Sequence, residues 1–278
     1  MRSCSAILLV LLIGLLLACE SPPEHLLMMA RQHWDQREYH RAIVCYEEFL
    51  QRQPQDSLSL QARSELASTY YLNLHDYTRA EHHYRLLLTE AGDQQTYLEL
   101  TLTARRRLAE TAVKNGQLAE AIAEYEQLIL RVPATEAREL RLQVANLYYD
   151  RNDLDQAELE YLKVVEDIPY DTFSEEAYLR IASIRHRLRR QYHSAIPIYE
   201  IIRNHTQQRA IVRAAYYGLA ECYAADAEYK TAIQALKQLQ NILDEQEIQQ
   251  VRRQIKEYKQ REKRLQRLPR VDWSNPRG

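Results

Sequence analysis

The sequence has little of what most catalytic and ligand-binding motifs require. Only 5 of its 278 residues are glycine and 4 are cysteine. Gly92, Gly116 and Gly218 stand alone in the sequence, so no glycine-rich phosphate loop can form. There is no Cys-x-x-Cys pair and no His-Glu-x-x-His motif, and the adjacent His82 and His83 would point in different directions on a helix. We therefore expect no enzyme, no cofactor and no metal site.

What the chain does contain is a sixfold pattern. A small residue is followed twelve positions later by alanine, and a tyrosine or leucine comes four residues after that. The copies are Ala30/Ala42/Tyr46, Ser68/Ala80/Tyr84, Ala109/Ala121/Tyr125, Ala145/Ala157/Tyr161, Ser183/Ala195/Tyr199 and Ala220/Ala232/Leu236. Further apolar residues three before and seven after the alanines complete one helix face. The pattern predicts helix pairs whose small residues let two backbones cross closely, and hence a repeat protein.

Strand signals are nearly absent, and turn signals fall where the helix pairs should break. The turn signals are Gly116, Asn152-Asp153, Pro54, Pro133 and Pro169. A proline within a helix would remove one backbone hydrogen bond. We therefore interpret Pro197 as part of a helix start, with Ser194 as its N-cap.

The order of small residue, alanine, aromatic residue and closing proline resembles the tetratricopeptide repeat family. The resemblance covers residues 24 to about 244. It implies an all-α fold, a right-handed α-solenoid of six helix-turn-helix repeats over 24–245 with a C-terminal capping helix. The alanines are 38, 41, 36, 38 and 37 residues apart, which is more than the family's 34. Since the spacing inside each pair is constant, the additional residues lie between pairs.

In this family the first helix of each repeat lines a concave groove, so the resemblance also implies which side chains face a partner. The groove candidates are Trp34, Asn73, Arg106, Asn146, Tyr149, Arg180, Arg187 and Tyr217. The repeat-packing residues are Ala42, Ala80, Ala121, Ala157, Ala195 and Ala232. Several groove candidates could instead solvate the groove or contact the next repeat. Most of the 20 tyrosines are expected to bury their rings and keep the hydroxyl at a wet edge.

The N-terminus looks like an export signal. Arg2 precedes an apolar run over residues 6–18, which is too short for the roughly 20 residues that a membrane-spanning helix needs. The run ends in Leu-Leu-Ala-Cys19, which resembles the bacterial lipobox. That resemblance implies a signal peptide at 1–18, a lipidated Cys19 and a short tether over 19–23. The alternatives are an ordinary cleavage site with a chance cysteine, or a retained membrane anchor.

The lipobox also implies a location. Glu20 after the cysteine is compatible with an outer membrane, so we expect a membrane-anchored lipoprotein of the cell envelope that faces the periplasm. Since export separates the chain from nucleic acid, we expect no nucleic acid partner. Cys45 and Cys222 fall in apolar helical runs of the first and last repeats, too far apart for a bond within one solenoid. We interpret them as buried thiols, with an intermolecular bridge as the alternative.

The two ends of the chain differ in charge. Residues 19–245 carry 26 Lys and Arg against 35 Asp and Glu, whereas residues 246–278 carry 10 against 4. A narrow apolar stripe predicts a basic helix over 246–268. That helix could cap the repeats or present its charge to a partner or to anionic head groups. The tail over 269–278 is expected to be disordered unless it is bound.

These features together favour a lipid-anchored scaffold that holds protein partners. The lipobox, the short tether and the slightly long repeats are similar to the lipoprotein subunit of the bacterial barrel-assembly machinery, and segment 168–182 resembles its inter-repeat segments. One alternative is a pilotin-like lipoprotein that assists secretin and pilus assembly. Another is an envelope hydrolase or its regulator, which would need titratable side chains clustered in the groove. The oligomeric state stays open.

Overall fold

The structure, a computed structural model, describes residues 22–52, 57–166 and 170–267. The chain divides into two units, Met1–Val132 and Pro133–Gly278. The secondary structure of the described residues is helical, without a strand, and the predicted all-α helical-repeat fold is confirmed. The predicted signal peptide, Cys19, Pro54, Pro169 and the tail over 269–278 lie outside the described residues.

The first unit contains three helical hairpins. Its helices are α1 (Pro23–Asp35), α2 (Tyr39–Arg52), α3 (Ser57–Thr69), α4 (Tyr77–Ala91), α5 (Leu98–Lys114) and α6 (Leu118–Ile129). A short 3₁₀ turn, Gln95–Tyr97, precedes α5. Helix α1 begins with Pro23, which suits a first turn because N–H groups there have no helical acceptor. Asp76 caps α4 by accepting the backbone N–H of Arg79 at 3.0 Å.

The second unit contains three further hairpins and one final helix. Its helices are α7 (Ala134–Asp150), α8 (Leu154–Val165), α9 (Thr172–Ser183), α10 (Tyr192–His205), α11 (Arg209–Ala225), α12 (Tyr229–Gln240) and α13 (Glu245–Arg267). A capping box starts α9: Asp171 accepts the Ser174 N–H at 2.9 Å, and the Ser174 hydroxyl accepts the Asp171 N–H at 2.6 Å. Arg138 holds Asp171 from α7 and lowers the pKa of its carboxyl.

The helices of each hairpin cross at the small residues. All six repeat alanines are fully buried: Ala42, Ala80, Ala121, Ala157, Ala195 and Ala232. Each unit has its own core, with Tyr46, Phe49 and Tyr84 among the largest buried side chains of the first unit and Tyr161 and Ile181 among those of the second. Because a larger side chain at a crossing would push the backbones apart, the constant twelve-residue spacing has a steric cause.

A left-handed residue makes the turn inside every hairpin. Each such residue stands five positions before the repeat alanine and has φ between 53° and 73°. The six turn residues are Arg37, His75, Gly116, Asn152, Arg190 and Ala227. In the last of them, the N–H of Ala227 donates to the Ala224 carbonyl and the N–H of Glu228 donates to the Tyr223 carbonyl, which satisfies carbonyls at the end of α11. The turn fixes where the second helix begins.

Two first helices end in a wider turn. Helix α3 continues as the π-helical turn Tyr70–Leu74, and α9 continues as Ile184–Leu188. In both, the backbone N–H that closes the turn reaches six residues back, from Asp76 to Tyr70 and from Gln191 to Arg185. The middle repeat of each unit therefore presents the end of its first helix differently from its neighbours.

The prediction that Pro197 lies in the first turn behind a Ser194 cap is wrong. Helix α10 begins at Tyr192, so Pro197 is its sixth residue. The Ser194 hydroxyl donates to the Gln191 carbonyl at 3.0 Å instead of capping. An interior proline removes one helical hydrogen bond and crowds the preceding turn. The helix persists because tertiary packing of its apolar face, including Ala195, outweighs that local loss.

Candidate partner-binding face

In the first unit, the first helices of successive repeats lie side by side. Arg31 of α1 pairs with Glu65 of α3 through two N–H donors, at 2.7 and 3.0 Å. The Tyr71 hydroxyl, in the π turn of α3, donates to Glu110 of α5 at 2.9 Å, and Arg107 lies 5.1 Å from the centre of the Tyr71 ring. These contacts hold the three first helices in one surface, which we call the inner face of the first unit.

A row of exposed apolar side chains runs across this inner face. Trp34 is 41% exposed, Leu72 is 49% exposed and Val113 is 37% exposed. They come from α1, the end of α3 and α5, and each stands four residues after the small residue of its repeat. We call these three residues the apolar row. Since all three stand at the same repeat position and are exposed, the apolar row is a candidate interaction surface.

A pocket of about 390 Å³ lies at the Trp34 end of the apolar row. Its walls include Arg31, Trp34, Asp35, Tyr46 and Glu65. Glu65 is occupied by Arg31 and by the Tyr46 hydroxyl, which donates to it at 3.0 Å. Asp35 is exposed and has no ion-pair partner among the described residues. The pocket therefore offers an indole for apolar contact and one unpaired carboxylate for a cation.

In both units, tyrosines of the second helices contact the first helices from behind. In four of the five repeats with tyrosine at this position, the ring is buried and the hydroxyl bonds to a first helix. The bonds are Tyr46 to Glu65 (3.0 Å), Tyr84 with Ser68 (3.0 Å), Tyr161 to Asn146 (2.5 Å) and Tyr199 with His186 (3.1 Å). Burial raises the pKa of Tyr199 to about 12. These tyrosines support the first helices, which explains why tyrosine stands where phenylalanine would leave polar groups unpaired.

In the second unit the corresponding face is polar. The Tyr149 ring of α7 carries the Arg180 guanidinium of α9 at 5.0 Å. Asn146 donates its amide to Glu176 at 3.1 Å while accepting the Tyr161 hydroxyl. Three of the predicted groove residues therefore connect neighbouring repeats.

The other predicted groove residues differ in how free they are. Arg187 is exposed in the π turn of α9, and Tyr217 is half-buried on α11, where burial raises its pKa. Arg106 is half-buried near Tyr125. Asn73 is half-buried in the first π turn, and its buried side-chain oxygen has no hydrogen-bond partner in the structure. Binding by these residues, and by Trp34, stays a prediction.

The buried histidine of the second unit extends the inter-repeat contacts. His186 stands three residues after its repeat's small residue, and its Nε2 lies 3.7 Å from a carboxylate oxygen of Glu221 on the next first helix. Tyr71 and Glu110 occupy the same two positions in the first unit. Burial lowers the pKa of His186, so the neutral ring is favoured. The pairing is structural support for the face.

The cysteines lie away from both faces. Cys45 and Cys222 are buried and free. Burial raises the pKa of both thiols, that of Cys222 to about 12. A protonated, enclosed thiol is a poor nucleophile. Within 22–52, 57–166 and 170–267, no cluster of three or more His, Cys, Asp or Glu side chains could hold a metal ion. The helices of these same segments include none that is long and apolar enough to cross a bilayer.

The sequence reasoning found Trp34 but missed Leu72 and Val113. The signal was available, because all three stand at the same distance from the repeat's small residue. Apolar residues on an amphipathic helix are expected to face the core, so exposure of Leu72 and Val113 needed the structure.

The comparisons with known proteins agree with the architecture. Two family models described as tetratricopeptide repeat match, one over residues 27–95 and 106–172 and the other over 214–242, together more than half of the chain. A tetratricopeptide repeat protein from Parabacteroides merdae is 18% identical, with 87% of this chain and 88% of that chain covered and a TM-score of 0.50. The C-terminal part of a repeat-containing protein from Cytophaga hutchinsonii is 15% identical, with 78% of each chain covered and a TM-score of 0.53. Comparison with curated protein sequences gives no match.

Proposed function

Since the chain belongs to the tetratricopeptide repeat family, whose proteins bind protein partners, we propose that it is a lipid-anchored scaffold of the cell envelope that holds partners during the assembly of a membrane complex. The repeat fold is generally that of a non-enzymatic scaffold. The anchor would be Cys19, and the assembly would be of the barrel-assembly type that the sequence resembles.

The observation that carries the binding role is the apolar row. Trp34, Leu72 and Val113 leave apolar surface exposed although each sits on a helix with a well-packed opposite face. Burying exposed apolar surface stabilises a complex by about 25 cal/mol per Å² before association costs are subtracted. Tryptophan is also enriched among residues that dominate binding energy. The row fits a protein segment that presents apolar side chains.

Charged side chains at the two ends of the row indicate which charges a partner segment would carry. Asp35, at one end of the row, has no ion-pair partner among the residues that the structure describes. At the other end, the Lys114 ammonium lies 5.9 Å from the Tyr71 ring and 5.2 Å from the Tyr77 ring. An extended segment that carries a cation near Asp35 and an anion near Lys114 would be complementary in charge as well as apolar in its middle. Charges so placed would set the direction in which the segment lies.

Photocrosslinking in intact envelope membranes tests the binding role. A benzophenone amino acid replaces Leu72 in the row or, as the matched control, Val44, which is 61% exposed on the second helix α2. We expect a protein adduct at Leu72 that disappears when Trp34→Ala is added, and no such adduct at Val44. Equal labelling at both positions, or an adduct that survives Trp34→Ala, would contradict a partner held by the row.

The proposed lipid anchor in the cell envelope has a separate test. The Cys19→Ser protein should leave the membrane fraction for the soluble fraction after the leader is removed, whereas the native chain should need detergent for release. Dual acylation is sufficient for stable attachment, because each buried methylene contributes about 0.8 kcal/mol. Membrane retention of Cys19→Ser at high salt would overturn the lipid anchor and leave the row's binding role untouched.

A further inference from the structure

Helix α13 has one side packed against the second unit and another side left bare. Val251, Ile255 and Tyr258 are buried, and the Tyr258 ring lies 6.0 Å from that of Tyr229 on α12. The Glu247 carboxylate of α13 pairs with the Arg213 guanidinium of α11. These contacts fix the rotation of α13 about its own axis, so the remaining side chains have a defined direction.

Seven basic side chains occupy the bare side. The basic face consists of Arg252, Arg253, Lys256, Lys259, Lys263, Arg264 and Arg267, all exposed. At 3.6 residues per turn they fall within an arc of about 140° and extend over about 22 Å of helix. Glu257 and Glu262 fall outside this arc. Consequently the basic face carries one sign of charge along its length.

Most charges of the basic face have no partner among the described residues. Arg252 lies 3.9 Å from Glu245 at the start of the helix. The other six have no ion pair or hydrogen bond among the residues that the structure describes. Elsewhere in the second unit, arginines such as Arg138, Arg185 and Arg189 are paired with carboxylates. Six unpaired cations on one face point to an anionic partner outside the chain.

We propose that the basic face of α13 is an electrostatic docking surface for the anionic headgroups of a phospholipid membrane. The charges form a straight, one-sided array that any dense layer of phosphates can neutralise without a fixed geometry. No aromatic side chain lies within the arc to stack on bases, which disfavours single-stranded nucleic acid. Leu265, 47% exposed, continues the apolar stripe beyond Tyr258 and lies on the side of the helix opposite the arc, so the proposed contact is electrostatic.

This membrane contact is independent of the lipid anchor proposed at Cys19. One acyl signal combined with a polybasic surface gives firmer attachment than either one alone. A surface contact through α13 would also restrict the direction in which the second unit faces the bilayer. The test must therefore be made in a protein without acyl chains, so that failure of one proposal does not imply failure of the other.

The experiment measures sedimentation of the mature Cys19→Ser protein, without the leader over 1–18, with vesicles. Phosphatidylcholine vesicles are compared with vesicles that also contain phosphatidylglycerol, over a range of salt concentrations. The test variant combines Lys256→Gln, Lys259→Gln, Lys263→Gln and Arg267→Gln. The matched control removes the same charge from exposed basic residues elsewhere. It combines Arg37→Gln, Arg151→Gln, Arg190→Gln and Lys237→Gln.

We expect stronger partitioning onto the phosphatidylglycerol vesicles, weakening as salt rises. The test variant should lose at least tenfold of that anionic-lipid preference, because each basic residue near such a surface contributes about 1 kcal/mol. The control should stay within about twofold of the parent. Equal partitioning onto both vesicles, or equal losses in both variants, would overturn the proposal. Binding of soluble polyglutamate without a preference for phosphatidylglycerol would assign the basic face to an acidic protein instead.

Discussion

The left-handed turn inside each hairpin allows a substitution and its reverse to be compared at the same repeat position. Gly116 and Ala227 both stand five residues before a repeat alanine, with φ of 73° and 61°. In both turns the next residue's N–H donates to the carbonyl five residues back, at 2.8 Å from Gln117 and 2.8 Å from Glu228. Ala227→Gly should therefore stabilise its unit, and Gly116→Ala should destabilise its own.

The magnitude follows from two opposing terms. A residue with a Cβ in the left-handed region costs about 1–2 kcal/mol that glycine does not. Glycine in turn makes the unfolded chain more flexible, which costs about 0.4–1 kcal/mol. The difference predicts a gain of about 0.5–1 kcal/mol for Ala227→Gly and a similar loss for Gly116→Ala. A Cβ added at Gly116 would meet nothing within 4 Å, so the loss would report backbone strain alone.

Urea unfolding followed by far-UV circular dichroism measures both changes. Hydrogen exchange resolved to peptides shows which unit each substitution affects, since repeat proteins need not unfold in one step. Opposite signs of similar size are the expected result. If both substitutions moved stability in the same direction, or if Ala227→Gly destabilised α11 and α12, backbone strain would not be the factor that sets this turn.

Two further predictions concern packing and protonation. Gly218→Ala should destabilise the second unit, because the new Cβ would overlap the Tyr199 ring and overpacking costs about 1–3 kcal/mol. In urea unfolding, this loss should disappear in a Tyr199→Leu background. Burial lowers the pKa of His83 to about 4, so the unfolded chain takes up a proton below its ordinary pKa of about 6.5 while the folded chain stays neutral. The contribution of His83 to stability should therefore be lost as pH drops from about 6.5 to 4 and should be constant above pH 6.5. His83→Gln should weaken this loss of stability. Parallel pH profiles for the two proteins would refute the idea that His83 causes it.

The helix crossings could be predicted from sequence because only small side chains let two helix backbones approach closely. A crossing needs a small side chain on both helices, so six alanines twelve residues after a small residue are visible without a structure. The turns inside the hairpins were only partly visible. Glycine and asparagine are familiar at positive φ, so Gly116 and Asn152 gave a signal, whereas Arg37, His75 and Ala227 adopt the same conformation without one.

Other features were beyond sequence reasoning for physical reasons. The π turns at Tyr70–Leu74 and Ile184–Leu188 change which carbonyl each N–H reaches, and neither segment contains a residue type that demands it. Pro197 was misplaced because local propensity suggested a helix start, while packing extended the helix one turn earlier. Contacts between repeats were also not visible in the sequence. Residue type made Asn146 and Arg180 candidates for binding a partner, but both side chains contact neighbouring repeats.

The position four residues after the small residue separates the two units chemically. In the first unit it is filled by the exposed apolar row, Trp34, Leu72 and Val113. In the second unit the same position holds a tyrosine engaged by Arg180, then Arg187 and then an alanine. The two units share the same backbone geometry at this position, including a π turn in the middle repeat of each, so the backbone does not force this difference. Apolar burial along the row would supply affinity, and the charges at the ends of the row would govern direction and rate. A partner held by the row should consequently dissociate faster after Trp34→Ala but keep its salt dependence, whereas Lys114→Ala should alter salt dependence and leave dissociation nearly unchanged.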